Sequence, residues 1–276
     1  MSLQSSEHVP LKQFIRDEAA PGALWIFLHI PKTAGSSLAH EISGLRAPYR
    51  NIHVDYDDQT TSYEVRLDHA VERFISDAKL TRFRSCSGHL TARHVLKIRE
   101  AQPRSKVFTL LRNPVERVIS DFRYARTPAH PPYRHFIAQY PTIDTYVESP
   151  VSRNKMFRFL APNPNMTVPS LLAFLDSFIS FVGLTEMYPM SFNILTRLFG
   201  MDRLPVSHVR KTEPTKHNRV DVTPDLVRRI QEANSKDIAI YNAVKYRVAV
   251  WNREWKAARE DAASRSCWSS ARGNLG

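Results

Sequence analysis

The apolar positions of this chain fall into short continuous runs separated by stripes of helical spacing. Residues 24–30, LWIFLHI, are almost wholly apolar. Such a run fits a strand buried on both faces of a parallel sheet. After the loop PKTAGSS (31–37), Leu38 and Ile42 stand four apart, which predicts a helix. Residues 66–79, RLDHAVERFISDAK, carry the stripe of an amphipathic helix. FRSCSGHL (83–90) then reads as a short strand that leaves Gly88 and His89 at its end, and TARHVLKIRE (91–100) as a helix.

A second strong unit follows. VFTLL (107–111) is a buried strand. Asn113 is placed to cap the next helix, Pro114 suits its first position, and Glu116 suits its first turn. Val115, Val118, Ile119 and Phe122 supply that helix's apolar stripe. FISFVGL (178–184) is a third strand, with a helix after it through Phe192 and Leu195. A polar, basic loop, HVRKTEPTKHN, occupies 208–218, and helices are expected over 224–233 and 235–256.

Strands alternating with helices predict an α/β fold: three layers, with a central, mainly parallel sheet flanked by helices. No linker divides the chain. The expected organisation is an N-terminal extension (1–22), one domain (23–256) and a tail (257–276) whose lack of apolar periodicity predicts fraying or disorder. No apolar run approaches the ~18 residues of a membrane span, and no N-terminal apolar signal region is present. Cys86 and Cys267 are far apart and form neither a metal spacing nor a disulfide framework. These features point to a reducing, cytoplasmic setting.

Composition adds a core and a charge. Of 276 residues 42% are apolar, enough for a sizeable interior. Lys and Arg number 39 against 27 Asp and Glu, a net charge of +12. That balance fits either a solvated basic face or an anionic partner: nucleic acid, a phosphorylated cofactor, an acidic glycan or a membrane surface.

The strand ends carry the candidate chemistry. In open α/β sheets ligands bind at the carboxyl ends of strands. A loop there with Lys32, Gly35 and the hydroxyls of Ser36 and Ser37 has the makings of a phosphate site. Amides and the helix N-terminus point at the anion, and the Lys adds a full charge. It is not a Walker A loop, because Lys32 precedes Gly35 instead of following the last Gly. Arg112 ends the second strong strand, and Ser120 lies two turns into the next helix. Arg can grip a phosphate with two parallel hydrogen bonds; a salt bridge for Arg112 and a helix-bonded hydroxyl for Ser120 are the plainer readings.

PKTAGSS resembles the 5′-phosphosulfate loop of sulfotransferases that use 3′-phosphoadenylyl sulfate (PAPS), and LLRNPVERVISDF (110–122) resembles their 3′-phosphate-binding strand and helix. SGHL, FVGLTE, VRKTEPTK and NSKDIAIYNA are similar to the branch containing heparan 2-O-sulfotransferases and bacterial relatives. The resemblance runs from Leu24 to Lys256. It implies a P-loop-like fold and sulfuryl transfer from PAPS to a hydroxyl-bearing acceptor, a glycan or glycolipid, in a bacterial enzyme without a membrane anchor or a bound metal. It further implies that Lys32 neutralises the leaving 5′-phosphate. Thr33, Ala34, Gly35, Ser36 and Ser37 would hold that phosphate, Arg112 and Ser120 the 3′-phosphate, and Arg210 and Lys211 would cover the nucleotide. His89 matches the histidine proposed as the base in that branch. A second histidine of the branch is replaced by Ser87, and Lys155 to Phe157 depart from the usual Asn-x-Gln-Thr-Arg pattern around Asn154 and Arg158.

The residues themselves favour His89 as base among eleven histidines, because it ends a strand directly after a Gly. His40, His69 and His94 fall within expected helices, and His29 within the first strand. A small-molecule kinase shares the architecture but would need a metal and a Walker loop. A noncatalytic binder of nucleic acid or acidic glycan would place stacking aromatics along a basic face. RYARTPAHPPYRHF (123–136) has some of that character; it is read here as a substrate-side insertion, with no nucleic-acid partner.

Overall fold

Trp25 to Leu28 form the central strand, and every one of their side chains is buried. Successive side chains of a strand point to opposite faces, so both faces must be covered. In the computed structural model, which describes residues 9–54, 60–130, 132–206, 215 and 218–272 (262–272 as backbone alone), helices supply that cover. The chain runs α1 (Leu11–Glu18), β1 (Trp25–Leu28), α2 (Gly35–Leu45), β2 (Tyr49–Asn51), α3 (Tyr63–Asp77), β3 (Ser85–Gly88), α4 (Ala92–Ala101), β4 (Lys106–Leu111) and α5 (Pro114–Ala125). It continues through α6 (Tyr133–Gln139), α7 (Ile143–Glu148), α8 (Lys155–Leu160), α9 (Val168–Phe178), β5 (Phe181–Leu184), α10 (Tyr188–Leu198), α11 (Pro224–Ala233) and α12 (Ser235–Arg272).

The five strands lie in the order β2-β3-β1-β4-β5, and all four pairings are parallel. This is the three-layer α/β arrangement that the alternation of strands and helices predicts. Trp25 is level with Ser85 on one side and Lys106 on the other. Phe27 and Phe108 stack at 4.9 Å with nearly parallel rings, welding β1 to β4. A fully buried aromatic of this kind contributes about 1.5–3 kcal/mol.

Four features lie outside the expectations. The segment before residue 23 is part of the fold: Leu11, Phe14 and Ile15 are buried, Phe14 stacks on Trp251 at 4.4 Å, and Trp251 Nε1 donates to Val9 O at 2.9 Å. Helix α12 passes through the expected boundary at 256–257 without a break and ends at Arg272. Strand β2 is a short edge strand that is largely exposed, so it has no apolar run to announce it. The third strand also begins three residues later than its apolar run, because Phe178 ends α9.

A second, smaller core gathers under α5, where Val118, Ile119 and Phe122 pack with Tyr146 and Ile230. Helices α8 and α12 are joined there by mutual capping. Asp237 accepts from the amides of Met156 (3.0 Å) and Phe157 (2.7 Å). Asn154 Oδ1 accepts from those of Lys236 (3.1 Å) and Asp237 (3.3 Å). Asn154 is therefore a structural cap. The pairing anchors Lys155 beside α5, which matters below the carboxyl ends of the strands.

Candidate functional site

The chain leaves β1 toward β2 and β3 on one side, and leaves β4 toward β5 on the other. The gap between β1 and β4 is thus a topological switch point, where open sheets of this kind take ligands. The PKTAGSS loop emerges on one side of it and the Arg112 turn on the other. They touch: Nη1 of Arg112 comes within 3.5 Å of the Lys32 carbonyl oxygen.

The loop is held in an unusual shape. Lys32 (φ 71°) and Ala34 (φ 63°) both adopt left-handed backbone, which costs a non-glycine residue on the order of 1–3 kcal/mol and clusters at functional sites. Thr33 is buried, and its hydroxyl donates to Ile30 O at 2.9 Å, pinning the turn. Gly35 is needed for space and not for its φ: a Cβ there would fall 1.8 Å from Nε2 of His29, whose ring lies beneath the loop and stacks on Phe27.

The two helix starts differ. At α2 the N-cap residue is Ala34, which has no side-chain oxygen to offer, so no N-cap side chain competes with an anion for the first turn of the helix. At α5, Asn113 Oδ1 accepts from Val115 N (3.0 Å) and Glu116 N (3.3 Å), closing that terminus. Anion binding from α5 must therefore come from side chains. Arg112 is one. It pairs with Glu116 at 3.2 Å, the salt bridge foreseen as its plainer role. That carboxylate is more than half exposed, so the pair is weak and an incoming anion competes for the guanidinium. Ser120 is half-buried one turn beyond Glu116, on the same face of α5.

Lys32 points its ammonium at the ring of Tyr124, 3.9 Å from the centroid. Partial burial brings its pKa down to about 8; Asp121 opposes that fall and Arg112 adds to it. His89 leaves β3 beside this lysine. Its Nδ1 lies 3.0 Å from His29 O, and a carbonyl only accepts, so Nδ1 carries the proton. The lone pair of neutral His89 is therefore on Nε2. Burial lowers the His89 pKa below the ordinary 6.5; the His29 carbonyl and Asp121 oppose this, while Lys155 and Lys32 reinforce it. At neutral pH the imidazole is a free base with a fixed tautomer. His29, more deeply desolvated and facing His89 and Lys32, is held neutral.

The structure thus brings Lys32, the 33–37 loop, His89, Arg112 and the α5 face bearing Ser120 to one switch point. Arg210 and Lys211 lie outside the described residues. Four residues with no site role of their own among the sequence expectations also belong here: Tyr124 and His130, from the 123–136 stretch read as a substrate-side insertion, with Asp121 and Lys155. His130 packs 5.7 Å from the Tyr124 ring, and its pKa is lowered by burial, with Asp121 opposing and Lys155 and Lys32 adding. Tyr124 had a signal, since it lies one turn after Ser120 on a helix already placed at the site. Lys155 had none, because α8 reaches the site only through its cap on α12. Among the described residues no group of three or more His, Cys, Asp or Glu is arranged to hold a metal ion, and no helix is long and apolar enough to cross a membrane.

No family model matches the chain, and no curated protein matches it in sequence. Among solved structures, it is similar to a sulfotransferase from Alicyclobacillus acidocaldarius, with a TM-score of 0.47 and 15% identity over 84% of this chain and 99% of that one. It is also similar to mouse sulfotransferase SULT7A1 complexed with PAP, with a TM-score of 0.36 and 14% identity over 88% of this chain and 96% of that one.

The contact beneath the loop gives a direct check. Gly35→Ala should destabilise the protein by about 1–3 kcal/mol through overpacking against His29, whereas Gly44→Ala, with open space around its Cβ on the same helix, should be neutral or stabilising. Thermal unfolding of the two variants reads the difference. Equal melting temperatures would place the His29 ring elsewhere.

Proposed function

We propose that the chain is a sulfotransferase that takes a sulfuryl group from PAPS and delivers it to a hydroxyl of a carbohydrate acceptor. The observation that carries this reading is the meeting of two cation-bearing turns, those of Lys32 and Arg112, beside an imidazole with a fixed tautomer.

The donor set fits such a molecule. The amides of residues 33–37, the hydroxyls of Ser36 and Ser37, and the Lys32 ammonium suit one phosphate; Arg112 and Ser120 suit a second. Arg210 and Lys211 would close over the nucleotide. PAPS supplies an activated sulfuryl group on a phosphate leaving group. His89 Nε2 takes the proton from the acceptor hydroxyl as that oxygen attacks. Lys32 places a positive charge where negative charge gathers on the departing phosphate oxygen. Catalysis in such a displacement is positioning and charge stabilisation, and no metal is required for either. The net charge of +12 favours an acidic glycan or glycolipid over a neutral one, and the buried free thiol of Cys86 suits a reducing bacterial cytoplasm.

The direct test is transfer of labelled sulfate from PAPS to a panel of glycans, with and without a chelator. Chelator-resistant transfer is expected; phosphoryl transfer from ATP that depends on Mg²⁺ would favour a kinase instead.

The pH profile of that transfer follows from the two charge states. His89 must be neutral and Lys32 charged. The acid limb of kcat/KM should therefore lie below 6.5, since the His89 pKa is lowered. The alkaline limb should lie near 8, well below an ordinary lysine, as Lys32 loses its proton. His89→Ala should remove the acid limb and cost about 10²–10⁴ in rate. An alkaline limb near 10 would contradict the role given to Lys32.

Arg112 and Ser120 are expected to read the 3′-phosphate. A charge-assisted hydrogen bond contributes about 1.5–3 kcal/mol, so Arg112→Ala should weaken binding of adenosine 3′,5′-bisphosphate roughly 10- to 100-fold, and Ser120→Ala less. Adenosine 5′-phosphate should bind both variants nearly as it binds the parent. Calorimetric titration makes the comparison, and an equal loss for the two nucleotides would remove the assignment.

A further inference from the structure

Asp121 is a buried carboxylate on α5, next to Ser120 and three residues before Tyr124. One of its oxygens, Oδ2, accepts from Arg117 Nη1 (3.2 Å), Tyr146 Oη (2.9 Å) and Lys155 Nζ (2.5 Å). These donors come from α5, α7 and α8. Among the described residues no donor reaches the other oxygen, Oδ1. The carboxylate is therefore clamped through Oδ2. Residues three apart on a helix are neighbours, so Asp121 lies next to the Tyr124 ring that carries the Lys32 ammonium.

We propose that Asp121 is a positioning residue of this site, a fixed negative charge that anchors Lys155 and balances the ammonium of Lys32 on the neighbouring ring. Without it, Lys32, Lys155 and Arg117 would bring three cations around two imidazoles, and the other carboxylate of α5, Glu116, is paired with Arg112 at the solvent edge. The inference rests on the sulfotransferase reading for its catalytic consequence, though not for its electrostatics.

The groups around His89 are the His29 carbonyl, the His29 ring at 4.3 Å, Lys32 from the loop, Asp121 from α5 and Lys155 from α8. Those around Lys32 are Asp121, Arg112, the Tyr124 ring and the imidazoles of His29 and His89. Lys155 also faces Arg117 and Arg158, and His130 shares the charges of Asp121, Lys155 and Lys32. Burial disfavours the ionised form of Asp121, but Lys155 and Arg117 overcome it and hold the carboxyl below the ordinary carboxylate range. It stays ionised through the working range and is not itself the base.

The test pairs two variants of opposite sign. Asp121→Asn removes the negative charge and should move the His89 titration to lower pH by about one unit. Lys155→Gln removes a positive charge and should move it upward. Proton–carbon NMR of labelled histidines in the full chain follows the titration, with His89→Ala identifying the resonance. In the transfer assay, both limbs of the kcat/KM profile should shift toward acid in Asp121→Asn, and Asp121→Glu should restore the parent profile. If Asp121→Asn does not fold, Lys155→Gln, which leaves the carboxylate paired with Arg117 and Tyr146, carries the test alone. An unmoved His89 titration, or movement in one direction for both variants, overturns the proposal. Opposite shifts in a chain that transfers no sulfate would uphold it while removing the sulfotransferase reading.

Discussion

The parallel pairing of β1 with β4, with Trp25 level with Lys106 and Phe27 stacked on Phe108, ends both strands at one side of the sheet and sets their loops against each other. Because β1 turns toward β3 and β4 toward β5, the two loops diverge and leave a crevice between them. The Lys32 loop and the Arg112 turn come from points some eighty residues apart. Nothing local to either could bring their charges together. Their meeting is a consequence of strand order, and the strand order follows from apolar runs that must be buried on both faces.

That placement has an electrostatic cost. Lys32, Arg112, Arg117 and Lys155 converge on a partly desolvated region, where like charges repel one another more strongly than in water. The fold answers with two carboxylates on α5. Glu116 meets Arg112 at the solvent edge, and Asp121 meets Arg117 and Lys155 inside. The helix that carries the candidate 3′-phosphate contacts therefore also carries the counter-charges. Two imidazoles kept neutral by burial complete the balance, one of them, His89, with its tautomer set by the backbone of the strand beside it.

Much of this was legible in the sequence, and the exceptions have physical causes. The buried strands announced themselves through continuous apolar runs, and α5 through Asn113 and Pro114. Lys32, His89 and Arg112 could be placed because each follows a readable strand. Edge strand β2 is exposed and short, so its pattern is silent. Helix α1 is short, and its value lies in the contact of Phe14 with Trp251, over two hundred residues away. Lys155 and Asp121 were hidden for a related reason. An Asp within a helix reads as surface, and only the fold shows that Arg117, Tyr146 and Lys155 enclose it. The α8 departures at Lys155 to Phe157 from the usual Asn-x-Gln-Thr-Arg pattern place a cation beside the site.

The central claim is that the crevice between β1 and β4 holds a nucleotide with two separate phosphates. A crystal structure of the protein with adenosine 3′,5′-bisphosphate tests it most directly. The account predicts the 5′-phosphate against the amides of residues 33–37 and Lys32, with the 3′-phosphate on Arg112 and Ser120. A nucleotide bound elsewhere, or one whose 3′-phosphate projects into solvent away from Arg112, would contradict it.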